Sequence, residues 1–422
     1  MVNVRGRWTE RWRPAAPWLA LAAGLLAVAP AALAPLWDAD LWWIVTAGDA
    51  VLRGEGVPRV NGWSFTAPTR PWVMHEWLLG AGYAALARAS LSTLALVRVG
   101  AVAAVVFAVW RRPAHPLARA AALGCALLVF GGRFESARPV GVVTALAAVF
   151  ASVAFDPRFG RGHLVALAAL SALWANVHGS FPLGAVIALC AAGEATGDRR
   201  ARWAAVAAVA AATLATPYGP GLHALVLRYL TGADGDATAV VHARVLEWWP
   251  LWRAPLRVAT PGELAGLVSL TVTWAMALRE RRWRGRALLG LALVAMALRH
   301  NRHLGLAGVV GATLAAEVLV TMDGRGGEDA PRWRWLPLAV MAAGALAWAP
   351  VAVGRTESEW VDPTRDDDDV RALVEGLPRG ARVWATLPYT GWVVRHRPRG
   401  RGCSGTPATT ATRPRCCRWP ST

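Results

Sequence analysis

Lysine is absent from the sequence, so all 45 of its Lys and Arg positions are arginine. Such a bias is typical of GC-rich coding DNA and indicates no particular mechanism. Cysteine is rare, with 5 residues in 422. Cys125 and Cys190 lie in apolar runs, which is typical of small packed side chains, and the other three fall near the C-terminus. This distribution argues against a disulfide framework and against a zinc framework.

Charge is also scarce, and this scarcity indicates the class of protein. Only 17 % of residues are charged, 55 % are hydrophobic, and the mean hydropathy is +0.35, outside the average for soluble domains. A net charge of +18 would suggest nucleic-acid binding in a soluble protein, but here the arginines fall between apolar runs, where they set membrane topology. The 24 tryptophans are typical of membrane interfaces. We predict a protein that contacts a lipid bilayer and binds no nucleic acid.

The apolar runs predict the topology. They recur from residue 17 to residue 353, and arginine-rich connections separate them. Arginines before the first run place the N-terminus in the cytoplasm, and the run 17–36 is interpreted as an uncleaved first span. If the stretch 72–88 lies in the interface, every later arginine-rich turn falls on the cytoplasmic side. The expected fold is an all-α polytopic protein of about eleven transmembrane helices in the bacterial inner (plasma) membrane, with its active face periplasmic or extracellular.

The same pattern divides the chain into regions. Residues 1–354 form the predicted multi-spanning domain, in which 37–90 is the first periplasmic loop and carries interfacial helices. Residues 355–397 are expected to form a small, truncated periplasmic α/β segment with one helix and a strand over 381–387. Residues 398–422 lack apolar periodicity and have the composition of GC-rich DNA read out of frame. They are expected to be a disordered, out-of-frame tail.

The first loop carries the unusual chemistry. It places Asp38 and Asp40 directly after the first apolar run, and His75 and Glu76 before a second amphipathic stretch. A connection of this length is either disordered or functional, and its many tryptophans argue against disorder. Two carboxylates beside a membrane exceed the needs of a helix cap, so Asp38 and Asp40 are candidate catalytic residues. His75 and Glu76 are candidates for substrate binding, although anchoring an interfacial helix would explain them equally well.

Other polar clusters fall on the same predicted face. The run 287–298 is about 18 Å long as a helix, against about 30 Å of hydrocarbon, so the cluster that follows it should lie below the membrane surface. Polar groups at that depth line a cavity or pair within the protein. Lipid headgroups would account for one of Arg133 and Arg138, and simple packing would account for His178. The candidates for substrate binding are Arg133, Arg138, Asn176, His178, Arg299, His300, Arg302 and His303.

Four motifs, in this order, resemble those of a known family. They are Asp-x-Asp-Leu-Trp-Trp at 38–43, Pro-Trp-x-x-His-Glu-Trp-Leu at 71–78, Trp-Ala-Asn-x-His-Gly at 174–179 and Pro-Tyr-Gly at 217–219. The set resembles the GT-C superfamily of membrane glycosyltransferases, whose characterised types include the protein O-mannosyltransferases and the aminoarabinose transferase of lipid A. The resemblance is greater to a group of uncharacterised bacterial GT-C-like proteins, and it covers roughly residues 15–395.

This resemblance implies a donor made of a sugar on a polyprenyl phosphate, and an acceptor hydroxyl on a glycan, lipid or protein. Asp38 matches the family's first-loop catalytic aspartate, with Asp40 as its neighbour, and a carboxylate flanked by tryptophan and like charge suits a general base. His75 and Glu76 would orient the acceptor or complete a divalent metal site with Asp38; no other cofactor is implied. Cations would receive the leaving phosphate; these are Arg299, His300, Arg302 and His303, with Arg133 or Arg138.

The sequence allows three other interpretations. A transporter or flippase for a lipid-linked or anionic substrate would carry internal repeats and broken helices, and the chain shows no convincing repeat. A polymerase or ligase of O-antigen type would place its main polar loop late in the chain, whereas here the richest loop comes first. The third reading is an inactive, truncated GT-C scaffold.

Overall fold

The computed structural model describes the chain in segments. These are residues 40–67, 69–89, 91–114, 116–130, 138–194, 198–233, 243, 245–255, 259–323, 368–378, 381–383 and 393–394. Several predicted features lie outside the described residues. They are the first span 17–36, Asp38, Arg133, the last apolar run before residue 354 and the tail 398–422.

Helices make up almost all of the described chain. Short 3₁₀ turns connect several of them. The β-pairing within the described segments is one antiparallel bridge between Val60 and Pro71. In chain order the helices are α1 Leu41–Leu52, α2 Trp77–Ala89, α3 Ala95–Trp110, α4 Pro116–Phe130, α5 Pro139–Ala154, α6 Arg161–Val177, α7 Pro182–Glu194, α8 Arg199–Ala212, α9 Pro220–Thr231, α10 Pro261–Ala277, α11 Arg284–Arg299, α12 Leu304–Asp323 and α13 Asp368–Glu375.

Local sequence explains where several helices begin and end. Proline occupies the first position of five of them, where a helix needs no N–H. Thr260 and Glu263 form a capping box at the start of α10. The Thr260 hydroxyl accepts the Glu263 N–H at 3.2 Å, and the Glu263 carboxylate accepts the Thr260 N–H at 2.7 Å. Gly232 ends α9 in the left-handed conformation, which favours glycine. These boundaries follow from local chemistry.

The predicted transmembrane helices are not found. Within the described segments, no helix is both long enough and apolar enough to cross a membrane. The prediction of about eleven spans is wrong because it counted apolar runs, whereas most of these runs fold into helices of 12 to 17 residues. At 1.5 Å per residue such helices measure about 18 to 26 Å, less than the hydrocarbon thickness of about 30 Å. The C-terminal segment also differs from the prediction, because its described part contains α13 while residues 381–383 form no strand.

The helix α5 lies at the centre of the core. It packs against α3, α6, α7 and α12, and its Phe150 is fully buried against Trp174 of α6, with ring centroids 5.8 Å apart. The helices α10 and α11 close against α12 around Trp274, which is also fully buried. Gly290 of α11 makes this approach possible, because a Cβ there would lie 2.4 Å from the Trp274 indole nitrogen. The core is therefore closed by aromatic side chains packed onto small residues.

The two ends of α5 carry different chemistry. Its N-terminal end follows Arg138, and its C-terminal end reaches Phe155. The helix α12 packs alongside α5 and begins just after His303. Its Glu317 pairs with Arg112 and Arg286, which bind the Phe155 carbonyl at the C-terminal end of α5, so the two helices run in the same direction. Arg138 and His303 are both predicted site residues. The two helices therefore bring distant parts of the sequence to one end of the core.

The other end of α5 holds arginines that the sequence pattern places in topology-setting connections. Arg112 is 1 % exposed and donates to two backbone carbonyls at that end, at 2.7 and 3.0 Å. Arg202 and Arg286 donate to further carbonyls there. Such carbonyls lack a partner within their own helix. Glu317 pairs with Arg112 and Arg286, and Glu194 pairs with Arg286. Arg112 and Arg286 are therefore parts of a buried ion-pair network, and Arg202 caps backbone carbonyls beside it.

Candidate functional site

A hairpin of the first loop presents the site. After α1, Gly54 and Gly56 turn the chain with φ of 80° and 79°, values that favour glycine. The two sides of the hairpin then meet at the antiparallel bridge between Val60 and Pro71. The chain leaves the hairpin directly into His75 and Glu76 and then enters α2. The hairpin therefore fixes how these two side chains approach the helical core.

Tyr218, from the Pro-Tyr-Gly motif, fastens the hairpin to that core. Its hydroxyl accepts the Met74 N–H at 2.9 Å and donates to the Pro58 carbonyl at 2.8 Å, so it joins both sides of the hairpin. The Arg59 guanidinium lies 5.4 Å from the centre of the Tyr218 ring and donates to the carbonyl of Pro217 at 2.9 Å. Because Met74 immediately precedes His75, Tyr218 sets the position of His75.

His75, Glu76 and His178 form a compact group, which we name the His–Glu–His cluster. The Nε2 atoms of His75 and His178 lie 3.4 and 3.6 Å from Oε1 of Glu76. The two imidazole rings meet edge to face with centroids 5.7 Å apart. His75 exposes 36 % of its side-chain surface, whereas Glu76 and His178 expose 18 % and 17 %. One carboxylate is therefore held between two imidazoles at the edge of solvent.

The three members of the cluster have pKa values that are shifted in different directions. Burial opposes the charged form of His75, but the hydrogen bond and the charge of Glu76 outweigh burial and raise the pKa of His75. Burial likewise opposes ionised Glu76, and the interaction with His75 outweighs it, so the pKa of Glu76 is lowered. For His178 burial dominates and lowers the pKa to about 4. At a pH above the pKa values of Glu76 and His178 and below the pKa of His75, the cluster holds an ion pair between His75 and Glu76 and a neutral His178.

Ser180 fixes the tautomer of His178. The Ser180 backbone N–H donates to Nδ1 of His178 at 3.1 Å, so that nitrogen carries a lone pair. The neutral ring then carries its proton on Nε2, the atom that faces Glu76. The Ser180 hydroxyl lies 2.9 Å from the same Nδ1 and accepts the indole N–H of buried Trp174 at 3.1 Å. His178 therefore presents an N–H group to Glu76.

Four alternating charges, which we name the charge row, lie beside this cluster. Arg138 pairs with Asp40 at 3.3 Å and also with Glu247. The second carboxylate oxygen of Glu247 lies 3.6 Å from Arg302, whose guanidinium is 4.3 Å from the centre of the Trp248 ring. The charge of Arg302 also acts on every member of the His–Glu–His cluster. Arg302 therefore connects the charge row, consisting of Asp40, Arg138, Glu247 and Arg302, to the cluster.

Asp40 occupies the N-cap position of α1, yet its carboxylate makes no capping hydrogen bond. The side chain exposes 54 % of its surface and pairs with Arg138 instead. A helix-capping role therefore does not account for the orientation of Asp40.

The turn between α11 and α12 is docked through two of its four polar residues. Asn301 is fully buried and bonds through its backbone N–H and its amide group to carbonyls within 246–249, at 3.0, 2.6 and 3.2 Å. His300 donates from Nδ1 to a carbonyl of the same stretch at 2.6 Å. The other two polar residues of the turn, Arg302 and His303, lie beside the His–Glu–His cluster. Burial, with Arg302 as the next cause, lowers the pKa of His303 to about 4, so this imidazole is neutral.

The Asn176 amide joins three elements behind the cluster. Its Oδ1 accepts the indole N–H of Trp77 at 2.8 Å. Its Nδ2 donates to the carbonyls of Ala172 and Ala215, each at 2.8 Å. Since Trp77 begins α2 directly after Glu76, Asn176 holds the start of α2 against the end of α6. Its place in the structure is that of a positioning residue.

The structure brings most of the predicted site residues to one end of the core. Asp38 and Arg133 lie outside the described residues. Arg299 is exposed at the end of α11, and no described contact joins it to the charge row. The residues that come together are Asp40, His75, Glu76, Arg138, Asn176, His178, His300, Arg302 and His303.

The site contains three further residues that are not among the predicted site residues. Glu247 links the two arginines of the charge row, Ser180 sets the tautomer of His178, and Tyr218 holds the hairpin. The signal for Glu247 was a single acid beside two tryptophans, and the signal for Tyr218 was its motif. Ser180 left no such signal, because its decisive group is a backbone N–H.

The His–Glu–His cluster has the donor atoms of a metal site, since its three candidate ligand atoms lie within 4.8 Å of one another. A neutral histidine that binds a metal through Nε2 carries its proton on Nδ1 and donates it to a neighbour. His178 does the opposite, because its Nδ1 accepts the Ser180 N–H. His75 and Glu76 therefore fit a divalent ion, and His178 in this orientation does not.

Comparisons with known proteins identify the fold. No protein-family model matches the chain, and no curated protein matches its sequence. The structure of archaeal oligosaccharyltransferase AglB from Archaeoglobus fulgidus, in complex with an inhibitory peptide and a dolichol-phosphate, matches with a TM-score of 0.60 at 12 % identity. The match covers 96 % of this chain and 62 % of that one.

A second structure gives the same picture. The Archaeoglobus fulgidus oligosaccharyltransferase tethered to an acceptor peptide with the NVT sequon matches with a TM-score of 0.57 at 12 % identity, over 93 % of this chain and 64 % of that one. This chain therefore spans a little over three fifths of these oligosaccharyltransferases. Its fold is similar to that of oligosaccharyltransferase AglB, a GT-C glycosyltransferase.

Proposed function

We propose that this protein is a glycosyltransferase that moves a sugar from a polyprenyl-phosphate donor to the hydroxyl of an acceptor glycan, lipid or protein. The likeness of its fold to AglB supports this class, and one AglB structure contains a dolichol-phosphate. The observation that carries the proposal is the charge row, in which Arg138 and Arg302 share the carboxylate of Glu247. Arginine binds phosphate and carboxylate oxygens with the same geometry, so a phosphate can take the place of Glu247.

The transfer would form a bond between the acceptor oxygen and the anomeric carbon of the sugar. The bond between that carbon and the phosphate oxygen would break, and polyprenyl phosphate would leave with the bonding electrons. A first-loop aspartate would take the proton of the acceptor hydroxyl; we assign this role to Asp40, because Asp38, the residue that the family resemblance favours, lies outside the described residues. Asp40 suits this role because its carboxylate is exposed and oriented by Arg138.

Arg138 and Arg302 would receive the leaving phosphate. Both guanidinium groups are already oriented through Glu247, and Arg302 is also held against Trp248. Cations that are oriented before the substrate arrives stabilise developing negative charge without reorganisation. The negative charge on the leaving oxygen would then develop between two fixed positive groups.

The His–Glu–His cluster would orient the acceptor. Glu76 is ionised and accepts hydrogen bonds, while His178 presents an N–H group beside it. A hydroxyl needs such a pair, because it is donor and acceptor at once. The hydroxyl would then be held with its oxygen free to attack. The expected location at the bacterial inner membrane, with this face toward the periplasm, stays a prediction.

The test is the release of polyprenyl phosphate by the purified full-length protein in detergent, offered a panel of polyprenyl-phosphate sugars. We expect turnover by the wild type, and a loss of about a hundredfold or more in Asp40→Asn, because the general base is removed. The matched control is Glu280→Gln, which removes a partly exposed carboxylate paired with Arg282 in a connection between α10 and α11. That variant should turn over donor at the wild-type rate.

Two results would contradict the proposal. If folded wild-type protein turns over no donor while it still binds one, a carrier of lipid-linked substrate replaces the transferase. If Asp40→Asn and Glu280→Gln lose activity to the same small extent, Asp40 is not the base. Donor binding, measured with the same panel, separates these results.

A further inference from the structure

Three tryptophans of the first loop form a row that the proposed chemistry does not use. Trp43 and Trp63 meet with ring centroids 5.2 Å apart and planes tilted by 45°. Trp63 and Trp72 meet at 5.1 Å with planes at 64°. All three side chains are partly exposed. We name Trp43, Trp63 and Trp72 the tryptophan row; it is a stepped aromatic surface and not a buried core.

Two structured elements hold the row. Trp43 lies on α1, and the other two lie on the hairpin. The Trp72 N–H donates to the Arg59 carbonyl at 2.9 Å, across the hairpin. The Asn61 side chain accepts the backbone N–H of Trp63 at 3.2 Å, in a turn that folds Trp63 back between its neighbours. The indoles are therefore placed before a ligand arrives, which reduces the entropy lost on binding.

The row begins beside the acid of the site. Trp43 follows Asp40 by three positions, so the two side chains lie on one face at the start of α1. Trp42 is turned the other way and is buried against Val374 and Val393. The exposed face of α1 thus carries Asp40 and then Trp43, and the row continues from there onto the hairpin.

The indole N–H groups of the tryptophan row are available as hydrogen-bond donors to a ligand. Within the described contacts, no hydrogen bond joins the indole nitrogen of a member of the tryptophan row to a protein group. Two other tryptophans differ in this respect. Trp77 and Trp174 donate their indole N–H groups to protein oxygens at 2.8 and 3.1 Å. Tryptophan usually pairs this group when it is covered, so a ligand that covers the row must supply acceptors.

We infer that the tryptophan row is a saccharide subsite, which binds sugar units of the glycan that reaches Asp40. A pyranose ring has a face of C–H groups, which packs on an indole, and hydroxyls around its edge, which accept indole N–H groups. The step from one indole to the next is comparable with the length of one sugar unit. An acyl chain or an apolar helix would cover the same rings and leave their N–H groups without acceptors. The inference rests on the proposed function only for the direction in which the glycan runs.

Ligand-observed NMR with saturation transfer tests the subsite. The purified full-length protein is offered short neutral oligosaccharides of glucose, mannose or galactose. We expect wild-type protein to bind at least one of them, and Trp63→Ala to bind it about tenfold more weakly or worse, because Trp63 contacts both neighbours. Trp203→Ala is the matched control, since Trp203 is 47 % exposed on α8 and belongs to no described site. Its binding should equal that of the wild type.

The outcomes separate the two proposals. Equal binding by folded wild-type and Trp63→Ala protein, or binding of no probe by the wild type, overturns the subsite. Saccharide binding that depends on Trp63 without turnover of any donor supports the subsite and contradicts the transferase. Turnover that depends on Asp40 but is unchanged in Trp63→Ala for every glycan donor supports the transferase and overturns the subsite. If Trp63→Ala does not fold, Trp43→Phe and Trp72→Phe take its place, because they keep an aromatic ring but remove the N–H donor.

Discussion

The backbone N–H of Ser180 donates to Nδ1 of His178 at 3.1 Å, and this bond decides which nitrogen of the imidazole meets Glu76. The partners of the neighbouring side chains explain the spacing of the motif at 174–179. Trp174 donates to the Ser180 hydroxyl, Asn176 accepts from Trp77, and His178 faces Glu76. Each polar side chain of the motif thus has a separate partner, and together they hold one face of the site.

We expect Ser180→Ala to destabilise the fold through Trp174. The change leaves the Trp174 indole N–H buried without an acceptor, because Trp174 is fully buried and donates to the Ser180 hydroxyl. Such a loss costs about 1–3 kcal/mol of unfolding free energy. Chemical denaturation in one detergent measures it. Ser269→Ala is the control, since it removes an exposed hydroxyl bonded within α10, and it should change stability by less than about 0.5 kcal/mol. Equal effects in both variants would show that Trp174 does not need this acceptor.

The neutral His303 predicts a loss of stability in acid. Its pKa is about 4 in the folded protein and 6.5 as an ordinary side chain, so the unfolded chain binds a proton that the folded protein refuses. Stability should therefore fall as the pH falls from 6.5 toward 4. The groups that act on His303 are Arg302, His300 and His178. His178, whose pKa is also about 4, contributes in the same direction.

Between pH 6.5 and 4.5 the contributions of His75 and Glu76 to stability change little. The pKa of His75 is raised, so its stabilising share is complete below pH 6.5, and the pKa of Glu76 is lowered, so its share is complete above pH 4.5. In this window His303→Gln should reduce the slope of stability against pH by at most about 1.4 kcal/mol per pH unit. Thermal unfolding across the window measures the slope. A wild-type stability that rises toward pH 4.5 would contradict a neutral His303.

We expect Tyr218→Phe to loosen the hairpin without unfolding the core. It removes the acceptor of the Met74 N–H and the donor to the Pro58 carbonyl. Hydrogen exchange at Met74 should therefore become faster by about tenfold or more, which corresponds to about 1.4 kcal/mol of local opening free energy. Tyr229→Phe, at a ring that is 43 % exposed on α9, is the control and should leave that exchange unchanged. Unchanged exchange in Tyr218→Phe would mean that the hairpin is held by its bridge alone.

The sequence predicted which polar residues gather better than it predicted the elements that carry them. His75 and Glu76 are adjacent in one motif, and Asp40 lies in another, so local patterns were enough to single them out. The role of Glu247 could not be predicted in this way. It depends on Arg138 and Arg302, which come from other helix ends and meet it only in the folded chain.

The same limit explains the error about arginine and about the spans. An arginine between apolar runs has the same local pattern whether it faces a headgroup or a buried carboxylate. Arg112 and Arg286 pair with Glu317, far along the chain from both. Hydropathy counts apolar residues and not helix length, so it could not show that most apolar runs form helices of 12 to 17 residues.

The buried network at the far end of α5 should carry stability and not activity. Glu317 exposes 8 % of its side chain and neutralises Arg112, which exposes 1 %. Glu317→Gln leaves two buried guanidinium groups with one fewer negative charge, and breaking such a pair costs about 3–5 kcal/mol. We expect a large fall in the unfolding midpoint, but unchanged donor turnover per folded molecule, because the charge row lies at the opposite end of α5. Glu280→Gln, which breaks a partly exposed pair, should shift stability by less than about 1 kcal/mol. If Glu317→Gln were as mild as this control, the backbone carbonyls that Arg112 and Arg286 already bind would be enough to hold both charges inside the core.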